Sequence, residues 1–140
     1  MNETQNTALI RSVYEAFGRG DIPYILSKIT ADSVWTTEGP SVIPYTGKRS
    51  GEKEVLGFFD ALGGTLNNMK LTTDYFVAQG DAVTTFGRFA GTVKATGKSF
   101  DAPVAHYFKI RDGKISVFID IIETQSIAAA YAGAAASAAR

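Results

Sequence analysis

From Met69 onward the chain reads as four long stretches in which apolar and polar residues alternate, and no other feature restricts the fold as much. The stretches are Lys70–Ala78, Ala82–Lys94, Ser99–Ile110 and Lys114–Thr124. Period-two patterning belongs to half-buried strands. Short segments with turn chemistry separate them: Gln79-Gly80-Asp81, Ala95-Thr96-Gly97-Lys98 and Arg111-Asp112-Gly113. Connections this short join antiparallel neighbours, so the second half is expected to be a meander.

The first half has a different period. Leu9, Ile10, Val13, Ala16 and Phe17 share one side of a 3.6-residue helix, with Arg11, Glu15 and Gly18 opposite. Gly18 and Gly20 end it, and a second short helix runs from about Ile22 to Ile29, with Pro23 in its first turn. Val34-Trp35-Thr36-Thr37 is β-favouring and predicts a short strand. The stretch Glu38 to Gly51, rich in Pro and Gly, reads as a long loop. A third helix is expected over about Glu52 to Leu62, stopped by Gly63-Gly64. Helices first and a strand meander after them imply an α+β fold with helices over one sheet face. One domain over residues 1–127 is expected, followed by a tail at 128–140. Nine of the twelve residues 128–139 are Ala, which favours a helix with little to bury, free either to fray or to cover an edge.

Composition removes whole classes of function. Fourteen Lys+Arg balance fourteen Asp+Glu, which gives no electrostatic reason to bind nucleic acid or an anionic membrane. The chain has no cysteine and a single histidine, so disulfides, thiolate chemistry and a multi-His or Cys-ligated metal centre are not expected. The segment MNETQNTALI lacks the pattern of a secretory signal, and the longest low-polarity tract, Ile127 to Ala136, is far short of the roughly 20 residues a membrane span needs. A cytoplasmic protein is the expectation.

Two polar residues sit where a purely structural core would not place them. His106 alternates with Val104, Phe108 and Ile110, and Asp120 has two apolar residues on each side. A buried carboxylate needs a partner or a raised pKa. Whether the two meet depends on the last hairpin. A two-residue turn at Asp112-Gly113 sets His106 opposite Ile119 and turns Asp120 to the other face. A three-residue turn with Gly113 left-handed sets His106 opposite Phe118, with Asp120 its diagonal neighbour on the same face. The three-residue turn is the expectation adopted. Trp35 could line a cavity or pack the core. Tyr14 lies at the edge of the first helix's apolar stripe, its hydroxyl reaching either a pocket or water. Glu38 and Tyr45 are rim groups or solvated loop residues. Arg88 is expected to face outward.

In order and spacing, several short segments together resemble the nuclear-transport-factor-like superfamily, in its SnoaL-like and ketosteroid isomerase-related branch. They are Val13-Tyr14-Glu15-Ala16-Phe17 with Gly20-Asp21, Ala31-Asp32-Ser33-Val34-Trp35, Tyr45-Thr46-Gly47-Lys48-Arg49-Ser50-Gly51 with Phe58-Phe59, Ala78-Gln79-Gly80-Asp81-Ala82-Val83, and Asp112-Gly113-Lys114-Ile115. The resemblance implies a cone: a curved antiparallel sheet wrapped around N-terminal helices, with an apolar pocket and a homodimer formed through the outer sheet face. In ketosteroid isomerases a first-helix Tyr and a penultimate-strand Asp hold the enolate oxygen while a first-strand Asp moves the proton. Those positions fall here at Val13, one step from Tyr14, at His106, and at Thr37 beside Glu38. The polyketide cyclase branch, with a penultimate-strand His and a last-strand Asp, matches His106 and Asp120.

The resulting expectation is a cofactor-free enzyme that moves a proton next to a carbonyl of a small hydrophobic substrate, by ring closure or isomerisation. Asp120 and His106 are its catalytic pair. Trp35, Tyr14, Phe17, Glu38, Phe59, Phe108, Phe118 and Ile122 shape the substrate site, and no metal is involved. Two rivals remain: a non-catalytic small-molecule binder of the same fold, and a purely structural dimerisation domain.

Overall fold

The computed structural model describes residues 2–138. Helix α1 (Glu3–Gly18) starts at Asn2, whose side chain accepts from the Gln5 amide while Gln5 returns the bond to the Asn2 amide. This reciprocal cap fixes the helix start. The helix buries Leu9, Ile10, Val13 and Ala16, the stripe that the periodicity marks out. Asp21 caps the short α2 (Ile22–Leu26), accepting from the Tyr24 amide. This helix is shorter than expected, because Ile29 already opens the strand β1 (Ile29–Thr37).

The stretch expected as one long loop contains a strand, β2 (Gly47–Ser50), which pairs antiparallel with β1. Helix α3 (Gly51–Thr65) runs through Gly63-Gly64 rather than stopping there. Both glycines face solvent, so the helix loses only their intrinsic cost of about 1 kcal/mol each. Lys94 Nζ donating to the Gly63 carbonyl and Thr65 Oγ1 to that of Ala61 help hold the last turn.

Four strands follow: β3 (Leu66–Gln79), β4 (Ala82–Val93), β5 (Ser99–Arg111) and β6 (Lys114–Ile122). They form the expected meander within a six-stranded sheet ordered β2-β1-β6-β5-β4-β3. The sheet is curved but open, and it is mixed rather than wholly antiparallel, because β6 lies parallel to β1. No hairpin joins these two strands, so nothing constrains them to opposite directions. On the concave face β4 buries Val83, Thr85, Phe89 and Val93, and β5 buries Phe100, Ala102, Val104, His106, Phe108 and Ile110. Arg88 points outward and pairs with Asp101, as its sequence setting suggests.

The Ala-rich segment is part of helix α4 (Thr124–Ala138); the last two residues of the expected tail lie outside the described ones. The helix docks rather than frays at its start. Ile127, Ala130 and Tyr131 are buried, Tyr131 and Thr65 share a hydroxyl hydrogen bond of 2.7 Å, and Thr96 Oγ1 donates to the Ala130 carbonyl. No helix of the described residues is long and apolar enough to cross a membrane.

The last hairpin departs from expectation. Its turn has two residues: Asp112 and Gly113, with φ of 53° and 75°, join the paired Arg111 and Lys114. Two positive φ values suit the right-handed twist of the strands. The register then slips by one residue. Ile110 opposes Ile115, but Lys109 opposes Val117, leaving Ser116 as an extra residue in β6. From that bulge on, Phe108 faces Phe118 and His106 faces Asp120 directly. The expectation of a three-residue turn is wrong, whereas a shared face for the two residues is found, by way of a different irregularity.

A second bulge lies in β3 between Thr73 and Tyr75, opposite Gly87. A Cβ added at Gly87 would sit 1.8 Å from the Thr72 carbonyl oxygen. Gly87→Ala must therefore push β3 away, and a loss of at least about 2 kcal/mol is expected. Gly63→Ala, on an exposed helical position with nothing within 4 Å, is expected to gain up to about 1 kcal/mol. Urea unfolding of the two variants checks both signs.

Candidate active site

The hairpin bulge places one polar row across the concave face. Thr85 on β4 pairs with His106 on β5, His106 with Asp120 on β6, and Asp120 with Thr37 on β1. The row toward the hairpin is apolar, running Val83, Phe108, Phe118, Trp35. The row on the other side is Gly87, Val104, Ile122. Strand pairing thus confines four polar side chains to a single line within a hydrophobic wall.

The row is linked by hydrogen bonds and capped from above by Tyr14 of α1. The Tyr14 hydroxyl lies 2.6 Å from Thr85 Oγ1 and 2.7 Å from His106 Nδ1. On the far side of the ring, His106 Nε2 approaches Asp120 Oδ1 at 3.2 Å. That contact lacks the alignment of a hydrogen bond, and Oδ1 has no hydrogen-bond partner. Thr37 Oγ1 donates to Asp120 Oδ2 at 3.2 Å. One carboxylate oxygen is therefore held by a hydroxyl, and the other has only the unaligned contact with the imidazole. His106 is 9% exposed and Asp120 6%. The Phe118 ring packs edge-on to the imidazole at 4.9 Å between centroids, and Tyr14 stacks on it at 5.8 Å.

These groups open onto a cavity whose walls are mostly aromatic. Tyr14, Phe17, Trp35, Phe59, Phe108, Phe118 and Ile122 line it together with His106 and Asp120. The free volume of the cavity is small, about 60 Å³, and it opens to solvent at its mouth. An outer vestibule between the end of α1, the end of α3 and the start of β3 shares Tyr14, Phe17 and Phe59 with it and is rimmed by Met69 and Lys70. The Glu38–Ser50 segment contributes an inner wall, through Tyr45. Glu38 itself is exposed and takes no part in the lining.

Two participants escape a reading of the sequence. Thr85 is recognisable only once register is known, whereas Thr37 is marked in advance only as the first-strand position of the ketosteroid isomerase resemblance. Tyr45, one of two alternatives as a rim group, is instead 1% exposed and lines the cavity.

Burial raises the ionisation of two of these tyrosines. Desolvation dominates at Tyr14; the Thr85 hydrogen bond opposes it and the charge of Asp120 adds to it. At Tyr45 desolvation again leads, followed by the influence of Tyr131 and of Asp120. Both hydroxyls remain protonated well beyond the usual tyrosine range.

Over residues 10–118 the sequence matches the SnoaL-like domain. The chain belongs to the SnoaL-like domain family. Solved structures agree with this. An NTF2-like protein of unknown function from Burkholderia pseudomallei is 26% identical with a TM-score of 0.85, over 94% of this chain and 98% of that one. An NTF2-like protein from Burkholderia thailandensis is 28% identical at a TM-score of 0.83, over 93% and 98%. TerC, co-crystallised with polyporic acid, is 26% identical at 0.82, over 91% and 98%. No curated protein matches the chain at a significant level. The open cone of this SnoaL-like chain is thus the fold of its relatives, and the polar row lies on its concave face.

The raised tyrosines set a sign for alkaline stability. Above pH ~10 the unfolded chain gives up phenolic protons that the native state keeps, so stability is complete below that pH and falls as pH rises beyond it. In a titration of tyrosinate absorbance, Tyr14 and Tyr45 are expected to ionise only as the protein unfolds, and Tyr45→Phe is expected to move alkaline unfolding to higher pH. Reversible ionisation of all six tyrosines near pH ~10 is the contrary result.

Proposed function

We propose that this SnoaL-like protein is a cofactor-free enzyme that transfers a proton at the carbon next to a carbonyl of a small hydrophobic compound, through Asp120 and His106. The observation that carries this reading is a buried carboxylate on a cavity wall whose Oδ1 accepts no hydrogen bond and stands 3.2 Å from an imidazole nitrogen. A carboxylate oxygen that accepts no hydrogen bond can take a proton from a substrate, the role of a general base.

In this reading Tyr14 donates to His106 Nδ1 while accepting from Thr85, which leaves Nε2–H as a donor toward the cavity. Asp120 Oδ1 removes a proton from the carbon beside a carbonyl. The C–H electron pair becomes a C=C bond as the carbonyl oxygen turns into an enolate, held by His106 Nε2–H. Return of the proton to a different carbon completes an isomerisation. Attack of the enolate carbon on a second carbonyl closes a ring, with Asp120 giving its proton to the new alkoxide. Thr37 holds Oδ2 and so orients the carboxylate through each step. Trp35, Phe17, Phe59, Phe108, Phe118 and Ile122 exclude water and fit an apolar skeleton. The co-crystal of TerC with polyporic acid supports a small-molecule occupant.

The convex face supports a homodimer. Tyr75, Phe86, Ala105 and Ile121 form a row across four paired strands, with Tyr75 65%, Phe86 48% and Ile121 59% exposed. A second row of Val77, Thr84, Tyr107 and Ile119 lies beside it. Contiguous exposed apolar rows mark an interaction surface, and a net charge of zero offers no long-range repulsion between two copies.

Two measurements test these readings. Deuterium uptake at the α-carbon of 1-tetralone in heavy water should exceed the buffer rate with the wild type and drop by roughly 10²–10⁴-fold in Asp120→Asn. Binding of the ketone without uptake would instead support the non-catalytic binder. In sedimentation equilibrium the wild type is expected near twice the chain mass of 15.0 kDa, and Phe86→Glu with Ile121→Glu near that mass itself. A monomeric wild type would remove the dimer.

A further inference from the structure

The geometry points to Tyr45 as a substrate-holding residue, whose hydroxyl donates to a second oxygen function, so that the substrate is an apolar ring carrying two oxygens rather than one. This rests on the cavity being the substrate site and adds the chemical class of its occupant.

Tyr45 comes from a segment fixed by its own turns. The Ile43 amide donates to the Pro40 carbonyl and the Thr46 amide to that of Ile43. Its ring stands edge-on to Phe58 at 6.1 Å and to Tyr131 at 6.4 Å. The hydroxyl is closed off from water, yet it has no hydrogen-bond partner. The other tyrosines packed in or against the core do not share this condition. Tyr14 bonds Thr85 and His106, Tyr24 donates to Ser12 at 2.9 Å, and Tyr131 bonds Thr65. A phenylalanine would pack in the same place without an orphaned hydroxyl, which is unfavourable when buried. The same cavity lining contains a second unpartnered buried atom, Asp120 Oδ1, while those of Asn6, Thr30 and Arg49 belong to residues outside it. One is an O–H donor and the other a carboxylate acceptor. A ligand that satisfies both presents an ionisable hydrogen to Asp120 and an oxygen to Tyr45. A ring carrying two oxygens, such as a resorcinol or its diketone tautomer, offers both partners, whereas a lone ketone or phenol leaves Tyr45 unmatched.

A matched pair of phenols isolates the second oxygen: 5-pentylresorcinol and 3-pentylphenol share ring and tail. Titration calorimetry of the wild type is expected to favour the resorcinol by roughly 3–10-fold, the worth of one neutral hydrogen bond. Tyr45→Phe is expected to abolish that preference and leave 3-pentylphenol binding unchanged, with thermal stability equal to or above the wild type. Asp120→Asn is expected to weaken both ligands and keep the preference. A preference that survives Tyr45→Phe, or one absent from the wild type, overturns the role of Tyr45. In that event, weakening of both ligands by Asp120→Asn would leave the cavity reading standing. Failure of both phenols to bind the wild type overturns both readings.

Discussion

The site depends on one extra residue in the last strand. Were Ser116 paired regularly with Lys109 instead of bulged, the two-residue turn at Asp112-Gly113 would set His106 opposite Ile119 and send Asp120 to the convex face. The bulge moves the register by one, and a one-residue slip reverses every side chain beyond it. It thereby sends Phe118, Asp120 and Ile122 inward and Ile119 and Ile121 outward. The place of Asp120 in the polar row, of Phe118 and Ile122 in the cavity wall and of Ile119 and Ile121 on the convex face follows from that displacement.

The polar row is expensive to maintain and is built to limit the expense. A buried carboxylate costs several kcal/mol when unpaired. Here Thr37 holds one oxygen and the imidazole stands beside the other. Tyr14 and Thr85 anchor the far side of the imidazole, so the ring is fixed while Asp120 Oδ1 and Tyr45 Oη stay unmatched. Apolar rows flank the line on both sides, and the low local dielectric strengthens whatever electrostatic contact a ligand makes there. Stability given up at two atoms is available to binding.

Much of this was legible in the residues, and the exceptions have physical causes. The stripe of α1 and the alternation of β4 and β5 identify their elements, because one face of each meets the core and the other meets solvent. The helix α3 overran Gly63-Gly64 because both glycines face water, where only propensity opposes the helix. Strand β2 was hidden by the Pro and Gly around it, being short and drawn into the sheet by pairing with β1. The bulge was hardest to see. Ile115, Val117, Ile119 and Ile121 form one plausible inward set and Phe118, Asp120 and Ile122 another, so β6 carries no alternation that reveals a change of phase. Its trace is the odd spacing of the buried Ile115 and Phe118. Thr85 and Tyr45 have no signature of their own and Thr37 only the family resemblance; they join the site through pairing and through the fold of one loop.

Because the chain has no cysteine, disulfide trapping reads the decisive register without background. A double variant His106→Cys with Asp120→Cys is expected to close a disulfide under mild oxidation, since directly opposed residues on antiparallel strands lie within bridging distance and face the same way. His106→Cys with Ile119→Cys is expected to stay reduced, its thiols on opposite faces. Closure of the 106–119 pair, with 106–120 left open, would place the carboxylate on the convex face and contradict the account.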